Sequence, residues 1–448
     1  METGVRIKNN YFDGLKVSKM HLFIFVLVSI SYFFEQFDSI NFSFIAPSFM
    51  ASMKVGPIVL AQINSAYFFG MAFGGLIGGI ISDIIGRRKS IILSVTIFSL
   101  GSILNGLVHS VPLFILARGI TGFGVFMMLI VSIAYMAEMS PKESRGKWEG
   151  LISALGFLSI PIVGIVCRAI IPIHPEAWRY IFYLGGIGLV AAVLSLKFLK
   201  ESPRWLVSKG RVAEAEQIVY EVSGVNVDLS DSISTKSEKM KMKHVAKEMF
   251  SPLYLKRTLI LLVTVCLTTI CAQLLSQWQP TLLNLYGFSV KESLTLGIIF
   301  SFGATLGQLS AAFFSDKGGR KVPIVSFSIL SAFFTLAFLL VGKNFALLAI
   351  IGLLITITQT GRSFIIHPYV AESYPTKLRN TAVGLINFVA RFSIMAIQPL
   401  IPIIYAGYGI PGVYGILTAF SVILAIVVGV FGWRSALRSL EDINEKAI

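Results

Sequence analysis

Asp83-Ile-Ile-Gly86-Arg87-Arg88-Lys89 and Asp316-Lys-Gly-Gly319-Arg320-Lys321 share one pattern, an acid, a glycine and a basic cluster, set between long apolar runs. A second pair, Glu138-Met-Ser-Pro141-Lys-Glu-Ser-Arg145 and Glu372-Ser-Tyr-Pro375-Thr-Lys-Leu-Arg379, recurs in the same order. The separations are 316 − 83 = 233 and 372 − 138 = 234 residues. Two different motifs repeating at one spacing make the chain an internal duplication.

Working outward from these motifs, the flanking sequence is too apolar for a soluble surface. Of its 448 residues, 55 % are hydrophobic and 14 % charged, and the mean hydropathy is +0.78; a soluble domain has about 45–50 % apolar and about 25 % charged residues. A helix crosses the hydrocarbon layer with roughly 20 apolar residues. On that measure, spans fall near 20–49, 59–82, 89–109, 112–137, 148–170 and 178–199, then near 258–284, 292–315, 322–342, 345–371, 380–406 and 411–433. The expected architecture is an all-α membrane protein of twelve helices. An N-terminal six-helix bundle (1–200) and a C-terminal one (258–448) are joined by a polar linker with short surface helices (201–257).

The net charge of +15 belongs to short loops on one side of the spans, the positive-inside distribution, and does not point to nucleic acid. Both termini and the linker are therefore expected in the cytoplasm of a multi-pass plasma-membrane protein. The first apolar run is too long for a cleavable signal peptide and is followed by further spans. Cys167, Cys266 and Cys271 lie in apolar runs with no paired spacing, so they read as small buried hydrophobes. No metal-ligand or nucleophile–base cluster is visible, which argues against an enzyme, and no cofactor or metal is called for.

The two loop motifs combine carboxylates at helix ends with arginines from neighbouring loops. A carboxylate there can cap a helix start and bind an arginine, while glycine permits a tight turn. Asp83, Gly86, Arg87, Arg88, Glu138 and Arg145 in the first half, and Asp316, Gly319, Arg320, Glu372 and Arg379 in the second, are therefore candidate gating residues. The alternative is that they only fix the fold.

These loops resemble the signatures of the major facilitator superfamily. Arg118-Gly-Ile-Thr-Gly122-Phe-Gly124 and Glu201-Ser-Pro-Arg-Trp-Leu206 are similar to its sugar-porter-related branches. The resemblance covers nearly the whole chain and implies alternating access by two rocking six-helix bundles around a site at the membrane midplane.

An ionisable group in the apolar core is costly and marks a functional position by default. Glu35 and Asp38 in span 1 are three residues apart and share a helix face; Arg118 in span 4 lies at a depth compatible with Asp38. A carboxylate beside a guanidinium keeps its charge, and one released into an apolar cavity takes up a proton. Asp38, with Glu35 second and Arg118 tuning it, is the expected proton-coupling group. Arg362 in span 10 and Arg391 in span 11 have no acidic residue near them in their own spans. Either an anionic ligand or a carboxylate from another helix, with Glu35 the candidate, balances them. Asn387, Arg391 and Gln398 form a polar stripe, a lane into which a carboxylate could reach.

The stretch Glu35-Gln-Phe-Asp38, followed by Ala46-Pro47, resembles the acidic pair of aromatic acid:proton symporters and niacin transporters. Trp278-Gln-Pro-Thr-Leu-Leu283 resembles their seventh span. The resemblance implies a proton-coupled symporter importing a small organic anion, an aromatic or heteroaromatic monocarboxylate. Arg391 would hold the carboxylate, helped by Arg362, Asn387 or Gln398. Gln277, Trp278, Tyr67, Tyr135, Phe157 and Phe392 would surround the ring. The partners expected are substrate, protons and lipid, for a monomer. The alternative is a proton-coupled sugar or polyol importer, which has no need of a buried cation at Arg391.

Overall fold

The computed structural model describes residues 7–8, 11–230, 242–315 and 318–435. Helix is the form the apolar runs must take, because hydrocarbon offers no water to satisfy backbone N–H and C=O groups. The first half holds α1 (Lys19–Met53), α2 (Pro57–Ile85), α3 (Arg87–Leu107) and α4 (Val111–Met139). Its fifth span is broken into α5 (Arg145–Phe157) and α6 (Ser159–Ile170), and its sixth into α7 (Trp178–Gly185) and α8 (Gly188–Phe198). Short helices α9 (Pro203–Ser208), α10 (Val212–Ser223) and α11 (Met242–Met249) lie between the two sets of apolar helices. The second half holds α12 (Leu255–Leu285), α13 (Val290–Phe314), α14 (Lys321–Leu340), α15 (Phe345–Glu372), α16 (Thr376–Ile397) and α17 (Leu400–Ile426).

The boundary between the last two spans differs from a simple break after residue 406. Helix α16 ends before Gln398-Pro399, where proline lacks the donor that would continue the ladder. The reversal itself falls inside α17, at Gly409 with φ 61° and ψ −154° just before Pro411. Serine and threonine are tolerated within the spans because their hydroxyls donate to carbonyls one turn back, as Ser29 to Phe25 and Thr264 to Ile260.

Packing divides the chain into two units. One comprises Met1–Ser39, Phe73–Ser159 and Phe182–Glu238; the other comprises Ile40–Ala72, Ile160–Ile181 and Lys239–Ile448. In the first, α2 lies so close to α4 that a Cβ on Gly74 would stand 2.2 Å from the Phe123 carbonyl oxygen. In the second, a Cβ on Gly307 of α13 would stand 2.6 Å from the Ile357 carbonyl oxygen of α15. The separations, 307 − 74 = 233 and 357 − 123 = 234, are those of the loop motifs. The duplication is thus carried by backbone contact as well as by charge, with glycine needed where two helices touch at that distance.

Segments from the first six spans pack inside the second unit. The Ser43 hydroxyl of α1 donates to the Ser276 carbonyl of α12 at 2.6 Å, and Ser65 of α2 donates to Met395 of α16 at 3.1 Å. Gly164 of α6 leaves room for Phe44 and Ile298, where a Cβ would stand within 2.9 Å of both side chains. In the first unit, residues 11–18 form a strap across the linker: Asp13 accepts from the Lys142 backbone at 3.1 Å and from Arg204 at 3.4 Å. A two-residue parallel ladder, Ile7–Lys8 with Val227–Asp228, extends it.

Candidate functional site

The first charge cluster stands where α2, α3 and α4 end or begin. Arg87, at the start of α3, binds Glu138 at 3.1–3.2 Å through two nitrogens and Asp83 at 2.8 Å. It also donates to the Ser82 carbonyl at 2.9 Å. Arg88 donates to the Leu196 carbonyl. Arg145, from the same motif as Glu138, is not its partner and stands instead within electrostatic range of Glu149, one turn along α5.

The second half repeats this pairing. Arg320 binds Glu372 at 2.7–2.9 Å, and the Arg379 Nε and Nη2 atoms are buried with no hydrogen-bond partner among the described residues. In both halves, therefore, the glutamate bonds to the arginine of the other loop, and the arginine of its own motif stands apart. Asp316 lies outside the described residues. Gly86 and Gly319 both have positive φ, 100° and 74°, a conformation glycine adopts without strain.

Sequence reasoning missed the group that locks the first cluster. Glu201 accepts the backbone N–H groups of Arg87 at 2.8 Å and Arg88 at 3.1 Å, so it caps the first turn of α3 from outside the helix. Burial pushes its carboxyl above the ordinary range, opposed by the hydrogen bonds from Ser202, Arg88 and Arg87. A Cβ at Gly86 would stand 2.2 Å from Glu201 Oε2, so the glycine makes room for the cap. Trp205 holds the same segment in place, its indole donating to the Asp83 carbonyl at 3.1 Å. The motif Glu201-Ser-Pro-Arg-Trp-Leu206 was the available signal, but nothing in its spacing pointed to a helix start 114 residues away.

Within the membrane part of the first unit, Asp38 and Arg118 come together as their depths predicted. Both are fully buried, with Arg118 Nη1 4.0 Å from Asp38 Oδ1. The Ser102 hydroxyl, with one proton to share, lies 3.1 Å from Asp38 Oδ1 and 2.9 Å from the Phe182 carbonyl. The break between α7 and α8 gives them space, since a Cβ on Gly185 would stand 2.5 Å from Ser102 Oγ. Glu35, one turn from Asp38, is buried and accepts from Gln36 at 3.0 Å. Tyr135, expected beside a ring, is placed elsewhere: its hydroxyl donates to the Lys200 carbonyl at 2.8 Å, next to the linker.

The other polar groups meet in the second unit. Arg362 of α15 is completely enclosed, and none of its three guanidinium nitrogens has a hydrogen-bond partner among the described residues. Its neighbour is the Cys271 thiol of α12. Gln359, one turn away, is also buried, with its Nε2 unpartnered. Trp278 Nε1 donates to Gln398 Oε1 at 2.6 Å, joining α12 to the end of α16; Gln277 beside it is buried. Asn387 Nδ2 is used by the Val383 carbonyl at 2.9 Å. Arg391 is half-buried on the same helix, within electrostatic range of His367. Phe392 packs on Phe388 and Phe69, and Tyr67 is buried against Phe68.

A duplicated set of helices, with charge clusters at the span ends and ionisable side chains within the apolar core, defines a secondary transporter rather than an enzyme. The chain belongs to the sugar (and other) transporter family of the major facilitator superfamily, whose model matches residues 16–447. The inner membrane metabolite transport protein YdjE of Escherichia coli K12 is 26 % identical, with 97 % of each chain covered. The niacin transporter NiaP of Acinetobacter baylyi is 24 % identical over 96 % of this chain and 98 % of its own. The xylose transporter XylE of Escherichia coli, in a partially occluded inward-open conformation, superposes with a TM-score of 0.76 at 18 % identity, covering 94 % and 100 % of the two chains; that likeness concerns the fold.

Proposed function

We propose that the protein is a proton-coupled importer of a small organic anion, an aromatic or heteroaromatic monocarboxylate, working by alternating access. The observation that carries this is Arg362, a fully enclosed cation whose neighbour is the weakly accepting Cys271 thiol and whose nitrogens have no oxygen acceptor among the described residues. Between Leu255 and Ser435 the only acids are Glu292, Asp316 and Glu372. Glu292 is used in the capping box of α13, Glu372 binds Arg320, and Asp316 belongs to the loop motif. A buried charge is costly unless compensated, and among the described residues of the second half neither carboxylate, Glu292 nor Glu372, is beside it. An anionic substrate supplies one; a neutral sugar does not.

Arg391 is the half-buried arginine, so it takes the carboxylate first, with Arg362 setting a positive potential behind it. Asp38 carries the coupling proton beside Arg118, and the proton gradient serves as the driving force in place of any cofactor. The bundles 1–200 and 258–448 are the moving halves, with termini and clasps on the cytoplasmic side. The niacin transporter among its relatives supports the substrate class. Reconstituted in liposomes, the protein should accumulate benzoate or pyridine-3-carboxylate when the outside is acidic, and a protonophore should abolish this. Accumulation of xylose instead, or uptake indifferent to the proton gradient, would overturn the reading.

A further inference from the structure

The indole of Trp278 can only donate a hydrogen bond. Its contact with Gln398 at 2.6 Å therefore fixes which end of the amide faces it: the oxygen. The amide nitrogen must then point away, and it is buried with no partner among the described residues, on a side chain that is completely enclosed. An amide that could turn freely would offer either a donor or an acceptor. This one is restricted to a donor.

Gln398 keeps helical dihedrals (φ −54°, ψ −47°) at the end of α16. It lies seven residues beyond Arg391, so two turns place the two on one helix face about 10 Å apart. A ligand held at Arg391 can therefore extend along this face toward Gln398.

We propose that Trp278 is a positioning residue that turns the Gln398 amide nitrogen toward the substrate, so that this end of the site reads a hydrogen-bond acceptor on the ring edge opposite the carboxylate. The substrate class narrows accordingly, to ring carboxylates whose far edge carries a pyridine-type nitrogen or a carbonyl. This rests on the organic-anion reading of the same site. The indole and the amide act as a unit: the tryptophan need not touch the ligand's far atom, because it fixes the group that does.

Four ligands separate the two ends of the site: benzoate, pyridine-4-carboxylate, benzamide and pyridine-4-carboxamide. Their affinities are measured on purified full-length wild type, Trp278→Phe and Gln398→Met, with unliganded melting reporting whether each variant folds. Wild type should prefer the nitrogen-bearing ring about three- to tenfold, the range of one neutral hydrogen bond. That ratio should fall to one in Gln398→Met and toward one in Trp278→Phe, while the acid-over-amide ratio stays unchanged in both. No nitrogen preference in wild type, in either the acid or the amide series, overturns the proposal. So does a preference that survives Gln398→Met. A preference unchanged in Trp278→Phe overturns the positioning role. If the acids show no advantage over the amides but the nitrogen preference falls in both Gln398→Met and Trp278→Phe, the organic-anion reading falls and the role of Trp278 stands.

Discussion

Asp38 and Arg118 form a fully buried ion pair whose nearest charged atoms are 4.0 Å apart. A charge-assisted hydrogen bond between such groups is about 2.7–2.9 Å, so the pair is close enough to compensate charge but is not clamped. When a helix movement separates such a pair, the carboxylate that loses its cation in an apolar setting exchanges a proton. Asp38→Asn should therefore abolish uphill accumulation of substrate while leaving counterflow exchange in liposomes. Accumulation equal to wild type would remove Asp38 from the coupling step.

The charge clusters make a graded prediction. Arg87 and Glu138 are mostly shielded, with side chains 13 % and 18 % exposed, whereas Asp83 is 45 % exposed and screened by solvent. Glu138→Gln should slow turnover by about tenfold, about 1.4 kcal/mol in the barrier, and Asp83→Asn distinctly less. Substrate affinity should hardly change in either. Initial rates against substrate concentration separate the two effects, and a loss of affinity at constant turnover would mean that the cluster shapes the binding site.

Glu201 gives a pH signature. Its carboxyl is raised by burial above the ordinary value of 4.5, so between that value and its own the folded protein binds more protons than the unfolded one. By linkage, stability falls as pH rises through this window. Glu201→Gln should remove that part of the slope in thermal melts; an unchanged slope would mean that other groups produce it.

The glycine beneath Glu201 provides a coupled test. Gly86→Ala places a methyl group 2.2 Å from the Glu201 carboxylate at φ 100° and should cost about 1–3 kcal/mol. Adding Glu201→Ala removes the clash but also the cap, so the double variant should lose less than the sum of the two single variants. Strict additivity would show that the two residues do not share the contact.

Much of this was legible in the sequence because apolar length and a repeat spacing survive any detail of packing. The apolar helices and the meeting of Asp38 with Arg118 follow from helical period and depth. What the sequence hid depends on partners distant along the chain. Glu201 reaches a helix start in another span, and Tyr135 bonds to the Lys200 carbonyl, beside the linker, which no periodicity marks. The bond from Trp278 to Gln398 crosses 120 residues, and the direction of an amide is decided only by what faces it. The pairing of Glu138 and Glu372 with an arginine from the other loop was legible, because each motif sets a carboxylate at a helix end opposite a basic loop.

The central claim is that arginine in the second half reads a carboxylate. The most direct measurement compares an aromatic acid with its neutral amide in binding to purified wild type, Arg391→Ala and Arg391→Lys. Losing a partly desolvated ion pair should cost about 2–5 kcal/mol, at least about 30-fold in affinity for the acid. Lysine keeps the charge without the planar fork and should recover only part of it. The account predicts that wild type strongly prefers the acid and that Arg391→Ala does not. An acid-over-amide preference of the same size in both proteins would contradict it.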